Sequence, residues 1–547
     1  MSKLTRVAVA VLTLLVLVMS YAHATSCAAG VAPEAPQPEV SNARSPFAER
    51  IDRIEKNFDP VPLSGEPALQ LDIQKLMKLF NVPGLSVAVI DNYKIVWAKG
   101  YGVTGPGAST RVTTHTLFQA GSLSKPVATA GALYLVQEGK LSLDEDVNKK
   151  LVSWKVPENE FTQQQKVTLR RIMSHSAGLT VHGFPGYDVD EPRPTLVQIL
   201  DGEKPANTAP VRVTVVPGTQ WHYSGGGVLV EQQLILDATR KTFPQFMRDV
   251  VFKKLDMQES SYEQPLPPAC AAVAASGTSM DGKPVHGRWH VYPEMAAAGL
   301  WTTPSDLAKF SIEIALSKKG NTNRLLSKTM ATEMLSPQMP RVEENTWGND
   351  QHPDRMGLGF FLGDAERPDR FGHIGDDEGF QAMMIMFGDS GQGAVIMANS
   401  QQGIRVGRFL LNNIAKDYGW NYVPPQGGIG ANTALFAIAQ YKSTQAAFDA
   451  YEKFRTGSNP SNAVDKNTLI NLGYNLFSVN KLPDAIRAMQ LAVKEYPDNW
   501  NAYDSLGEMY AKADDKQRAI ENYTKSLELN PNNMGGKDML RKLQVKQ

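Results

Sequence analysis

The chain has 547 residues, 42% hydrophobic and 20% charged, which is ordinary for a globular protein and long enough for several domains around a large core. Its 56 Lys and Arg balance its 56 Asp and Glu, so no basic field recruits nucleic acid and no polybasic tract seeks anionic lipid; the partner left is a small molecule or peptide. Two cysteines, Cys27 and Cys270, exclude a fold that depends on a disulfide framework.

Lys3 and Arg6 precede an apolar run from Val7 to Met19, and Ala22-His23-Ala24 follows the small-x-small pattern of a signal-peptidase site. The run is too short for a permanent span. We therefore expect residues 1–24 to be a signal peptide, Thr25 the first mature residue, export to the periplasm or beyond, and no integral membrane span afterwards. Ala24-Thr25-Ser26-Cys27 is similar to a lipoprotein cleavage site, so lipid anchoring at Cys27 stays open. Residues 25–46, rich in Ala, Pro and Glu, read as a disordered tether. A Cys27–Cys270 bridge is open in principle, but a cysteine at the edge of a tether argues against it.

Helical apolar spacing runs through Ile51 to Phe80, and Leu85–Ile90 with Ile95–Val103 predicts a hairpin around Asp91-Asn92. The strand-like run Thr116–Ala120 leads into Ser122-Leu123-Ser124-Lys125 at the head of a helical stretch from Pro126 to Leu135. Positions i and i+3 share a helix face, so the Ser122 hydroxyl falls beside the Lys125 amine. A serine hydroxyl attacks a carbonyl only if a neighbour takes its proton, and a lysine with a lowered pKa does so. The tetrapeptide alone is weak: Ser478-Val479-Asn480-Lys481 repeats the spacing by coincidence, and a helix N-cap with a solvated lysine has the same letters.

Two loops, Val181 to Thr195 and Pro337 to Arg355, are placed to rim a pocket. Between them, the glycine-rich run Pro217–Gly227 sets Tyr223 in a tight turn before the apolar helix Val228–Leu236, where a phenol can shuttle a proton or simply pack. Gly372-His373-Ile374-Gly375 opens a strand meander: Phe380–Phe387, a turn at 388–391, then Ala394–Asn399. Small residues there let a backbone approach closely. His373 itself is also readable as a structural hydrogen-bonder, and His175 is taken as structural. His182, His222, His286, His290 and His352 lack metal-ligand spacing, and no phosphate-binding glycine loop occurs, so no metal and no cofactor is expected.

Ser122/Lys125, Tyr223/Gly225 and His373/Gly375, in this order, resemble the serine hydrolases that include class C β-lactamases, low-molecular-mass penicillin-binding proteins, D-amino-acid peptidases and related esterases. There the pattern reads S-x-x-K, then Y-x-N or a variant, then K-T-G or H-x-G. Ser174–Leu179, Ala297–Trp301 with Asp306-Leu307, and Val395–Ser400 add to the likeness, which covers roughly residues 50 to 420. The resemblance implies Ser122 as acylated nucleophile, Lys125 as its activating amine and Tyr223 as proton carrier. It implies an oxyanion hole from the N–H groups of Ser122 and Asp376, and a substrate-binding wall of His373, Gly375 and Gly225, with His373 facing a substrate carboxylate or Tyr223. Gly225 stands where many members carry an amide side chain that holds the substrate's amide carbonyl. Esters or small peptides are therefore expected to turn over better than cephalosporins.

Terminal strands hairpinned together around a helical insert predict an α+β fold: an antiparallel β-sheet flanked by helices plus an all-α region, with a cleft between the layers. This is the β-lactamase/transpeptidase-like arrangement, assigned to residues 47–421 and closed by a helix from Ile404 to Tyr418. After a linker at 422–433, residues 434–547 repeat themselves: Leu472-Gly473 recurs as Leu506-Gly507, Ala485 as Ala519 and Pro497 as Pro531, each 34 residues on. That is the period of tetratricopeptide repeats. Helices Ala434–Phe454 and Lys537–Val545 are expected to complete the stack, which serves either as a protein-binding groove or as a structural appendage. Two functions follow: an exported serine hydrolase working through an acyl-enzyme on an ester, D-amino-acid peptide or β-lactam, or a non-catalytic module that binds a peptide or protein.

Overall fold

A computed structural model describes residues 46–58, 60, 68–339, 355–364, 367–420, 430–457 and 463–545. The residues expected to form the signal peptide and nearly all of the expected tether, Cys27 included, lie outside them, as do most of the linker and the larger part of the 337–355 loop. Among the described residues no helix is long and apolar enough to cross a membrane.

Seven strands form one antiparallel sheet in the order β2-β1-β9-β8-β7-β6-β5. They are β1 (Gly84–Asp91), β2 (Lys94–Gly102), β5 (Arg355–Met356), β6 (Phe361–Leu362), β7 (Arg370–Asp377), β8 (Phe380–Phe387) and β9 (Gln392–Ala398). Asn92 and Tyr93, at φ 49° and 59°, make the two-residue turn that matches strand twist. β3 (Phe118–Gln119) and β4 (Trp301–Thr302) pair separately and carry the chain to the turn that bears Ser122.

Side-chain alternation divides the core between the two faces of the sheet. Ala88, Met384 and Val395 point to one face, which packs α3 (Ser124–Gln137) and α6 (Pro304–Lys319). Val89, Met383 and Ile396 point to the other, against α1 (Pro46–Lys56), α2 (Ile73–Leu79) and α7 (Gly403–Tyr418). Of the further helices in the middle of the chain, α4 (Gly225–Thr239) and the short α5 (Met295–Ala298) bear on the site. The chain is thus an antiparallel sheet flanked by helices, followed by an all-helical region.

That region contains α8 (Ala431–Tyr441), α9 (Thr444–Thr456), α10 (Thr468–Phe477), α11 (Leu482–Glu495), α12 (Trp500–Lys512), α13 (Lys516–Leu529) and α14 (Met534–Val545). The 34-residue period is visible in its packing: a Cβ on Gly473 would lie 2.8 Å from Met489 Cγ, and one on Gly507 3.2 Å from the Tyr523 ring. The single helix expected over Ala434–Phe454 is two, because the largely polar run Gln440–Gln445 interrupts the apolar pattern and the Ser443 side chain within it accepts from Ala446 N–H and starts a new helix. The repeats join the sheet's second face through Phe436, 5.6 Å from Phe80 between ring centroids, and Asn81 Nδ2 donates to Ser478 O at 3.3 Å.

Cys270, expected to stand unbridged, is fully buried and disulfide-bonded.

Burial also traps carboxyls. Glu231 on α4 is 0% exposed, takes one contact from Thr129 Oγ1 at 3.5 Å, and burial pushes its pKa up to about 8. The folded chain keeps this proton while the unfolded chain loses it near the usual carboxylate pKa, so stability falls as pH rises between those two values. Glu231→Gln removes that loss. In urea titrations we expect the variant to gain about 3 kcal/mol on the wild type between pH 5 and pH 8; a difference independent of pH would contradict it.

Candidate active site

Gly121, at φ +53°, turns the chain from β3 into the 3-10 turn Gly121–Leu123, which runs on into α3. Ser122 is partly exposed on this turn, whereas Lys125 is 3% exposed. Lys125 Nζ donates to Ser122 Oγ at 2.8 Å and to the Ala297 carbonyl of α5 at 2.8 Å. The amine is held between the hydroxyl and a fixed acceptor.

Tyr223 precedes α4, whose N-cap Ser224 accepts from Gly227 N–H at 2.8 Å. Lys125 Nζ lies 5.1 Å from the centroid of the Tyr223 ring. Around that ring stand His175 at 4.3 Å, His182 at 4.9 Å, His373 at 6.2 Å and, stacked within 8°, Phe361 at 6.3 Å between centroids.

His373 is 1% exposed, and its Nδ1 lies 2.6 Å from the Ile374 carbonyl. A carbonyl only accepts, so Nδ1 carries the proton and Nε2, which has no partner, is a bare lone pair. Burial, then Lys125, bring its pKa down to about 3. The ring is a neutral acceptor, so of its two expected complements the phenol suits it and a carboxylate does not.

Gly375 and Gly121 bring β7 against the nucleophile turn. A Cβ on Gly375 would fall 1.9 Å from Ala120 O and 3.2 Å from Ser122 N, and one on Gly121 2.4 Å from Asp376 N. The amides of Ser122 and Asp376 thus sit on facing backbones. The Asp376 carboxylate accepts instead from Gln381 Nε2 at 3.3 Å and Gln401 Nε2 at 3.0 Å. Asp377, buried, accepts the Gly121 N–H on Oδ2 at 3.1 Å, and its carboxyl is pushed well above the usual range by burial and then by Asp376.

Gly225 has a steric cause as well. A Cβ there would meet Phe184 Cε2 at 2.9 Å and His182 O at 3.0 Å, so the 181–195 loop fills the place of an amide side chain. The structure therefore brings Ser122, Lys125, Tyr223, Gly225, His373, Gly375 and Asp376 to one region. Sequence reasoning assigned no role to the Ala297 carbonyl or Asp377 and left His175 out of the site. A backbone acceptor leaves no letter in a sequence, and Asp377 carries no signal beyond lying two residues after Gly375. Among the described residues no cluster of His, Cys, Asp or Glu suits a metal. A cavity of about 380 Å³, lined in part by Arg248, Phe252 and Tyr262, shares none of the residues named above; Tyr262 OH donates to Ser124 O at 2.7 Å behind the nucleophile turn.

Comparison with known proteins adds the following. Residues 69–418 match the family model described as Beta-lactamase, and residues 500–533 match that for the Tetratricopeptide repeat. The chain is 25% identical over 271 residues to the Unguisins hydrolase ungD of Aspergillus violaceofuscus, covering 46% of this chain and 45% of that protein. It is 27% identical over 241 residues to a Beta-lactamase of Pseudomonas fluorescens, covering 44% and 61%. The chain thus spans about half the length of these curated relatives. Among solved structures, the octameric penicillin-binding protein homologue from Pyrococcus abyssi aligns with a TM-score of 0.53 at 19% identity, over 67% of this chain and 80% of that one. The Beta-lactamase/D-alanine carboxypeptidase from Yersinia pestis, complexed with citrate, aligns at 0.51 and 19%, over 63% and 96%. At these identities the likeness is one of fold.

Proposed function

Because the chain belongs to the beta-lactamase family, matched over residues 69–418, we propose that it is an exported serine hydrolase that forms an acyl-enzyme on Ser122. The observation that carries this reading is the 2.8 Å contact between Lys125 Nζ and Ser122 Oγ beside the Tyr223 ring. Ser122 Oγ attacks the substrate carbonyl while Lys125 takes its proton. The N–H groups of Ser122 and Asp376 receive the oxyanion. Tyr223 passes a proton to the leaving group, and water then releases the acyl group by the reverse path.

The substrate is an ester, a D-amino-acid peptide or a β-lactam. The relatives named as a hydrolase of unguisins and as a β-lactamase support hydrolysis, with a lactam carbonyl among the candidates. The filled position beside Gly225 favours esters and small peptides over cephalosporins. The helical repeats support a protein partner held outside the cleft.

A fluorophosphonate or fluorescent penicillin is expected to label the wild type in one-to-one stoichiometry and to leave Ser122→Ala unlabelled, read by intact-protein mass. Equal labelling of the two would end the reading. A panel of nitrocefin, p-nitrophenyl acyl esters and D-Ala peptides then separates substrate classes, and nitrocefin as the best substrate by a wide margin would remove the argument from Gly225.

A further inference from the structure

His175 brackets Tyr223 from both sides along the chain. His222 N–H donates to the His175 carbonyl at 2.7 Å, and Ser224 N–H donates to His175 Nδ1 at 3.2 Å. These two amides flank Tyr223, and the imidazole lies 4.3 Å from the phenol ring. His175 is 2% exposed and sits at φ +55°, a backbone conformation costly for an L residue. A strained, buried residue that holds one neighbour by carbonyl, ring nitrogen and ring face is over-determined toward a single end.

An amide N–H only donates, so Nδ1 is bare and the neutral ring keeps its proton on Nε2. The groups facing it are Lys125 from α3, His373 from β7 and His182 and His222 from the adjoining loops, with Trp221 edge-on at 6.5 Å. Burial first, then Lys125, hold its pKa well below the ordinary histidine value. Protonation at Nδ1 would break the bond to Ser224, so the clamp is present above the depressed pKa and lost as pH falls through it.

We infer that His175 is a positioning residue that fixes Tyr223 for proton delivery to the leaving group, acting as a neutral hydrogen-bond acceptor. The inference rests on the serine-hydrolase reading above. A misplaced Tyr223 penalises substrates whose leaving group must be protonated and spares those whose leaving group departs as an anion. A merely structural role would slow both alike.

The test measures kcat/KM, which reports acylation, for p-nitrophenyl and phenyl esters of one acid. His175→Phe keeps the ring and lacks the acceptor. We expect its p-nitrophenyl ester rate to stay within about fivefold of wild type and its phenyl ester rate to fall about a hundredfold. His175→Asn, which tolerates positive φ and offers Oδ1 to Ser224 N–H, should recover at least about tenfold of the lost phenyl ester rate. Should the Phe variant fail to fold by circular dichroism, His175→Ala, which also removes the acceptor, takes its place. A parallel fall on both esters, or an Asn variant no better than the acceptorless one, overturns the inference. Absence of Ser122 labelling in the wild type instead sinks the hydrolase reading itself.

Discussion

Lys125→Met should lower kcat/KM for an aryl ester by about a thousandfold to ten-thousandfold. Methionine keeps most of the buried volume at a position that is 3% exposed, so folding changes little while the base disappears. Ser122 Oγ loses its 2.8 Å partner, and the Ala297 carbonyl loses its donor. The hydroxyl must then attack with its proton in place. The measurement is steady-state hydrolysis of a p-nitrophenyl ester with the burst followed separately, and activity within tenfold of wild type would assign proton removal to another group.

Gly375→Ala should be nearly as damaging by a different route. The new methyl would lie 1.9 Å from Ala120 O, a backbone atom that cannot swing away. β7 must move off the nucleophile turn, and the amides of Ser122 and Asp376 part. Loss of one oxyanion donor alone costs about a hundredfold to a thousandfold in kcat. Crowding adds a stability loss of about 1–3 kcal/mol. Gly535→Ala in α14, where a Cβ meets only Asn533 Oδ1 at 3.6 Å, is the control and should leave rate and urea midpoint unchanged. If the Gly375 variant matched this control, the facing-backbone account of the oxyanion hole would be wrong.

Much of the sheet is readable from local pattern. The apolar run Phe380–Phe387 is β8 in full, and Asp91-Asn92 lies at the β1–β2 turn, because alternation and turn chemistry act over a few residues. The i,i+3 spacing likewise predicts the Ser122 hydroxyl beside the Lys125 amine, since one helical turn fixes that distance. His175 is of another kind. Its contacts to 222 and 224 cross some fifty residues of chain, and nothing near Ser174-His175-Ser176 indicates that they exist. The break between α8 and α9, by contrast, is written locally: the run Gln440–Gln445 is largely polar, and Ser443 within it is an N-cap residue. The covalent tie at Cys270 is likewise not something composition reports.

Alternating methionines along β8 have a wider consequence. Met384 and Met386 belong to the layer under the nucleophile helix, whereas Met383 and Ile385 belong to the layer shared with the repeats. The layer that holds Ser122 and the layer that meets the repeats therefore lie on opposite faces of one sheet. The two layers also meet beside the start of β1, where a Cβ on Gly282 would fall 2.6 Å from Ser478 O, so a shift in the repeats has a route to the 277–288 loop that does not cross the strands.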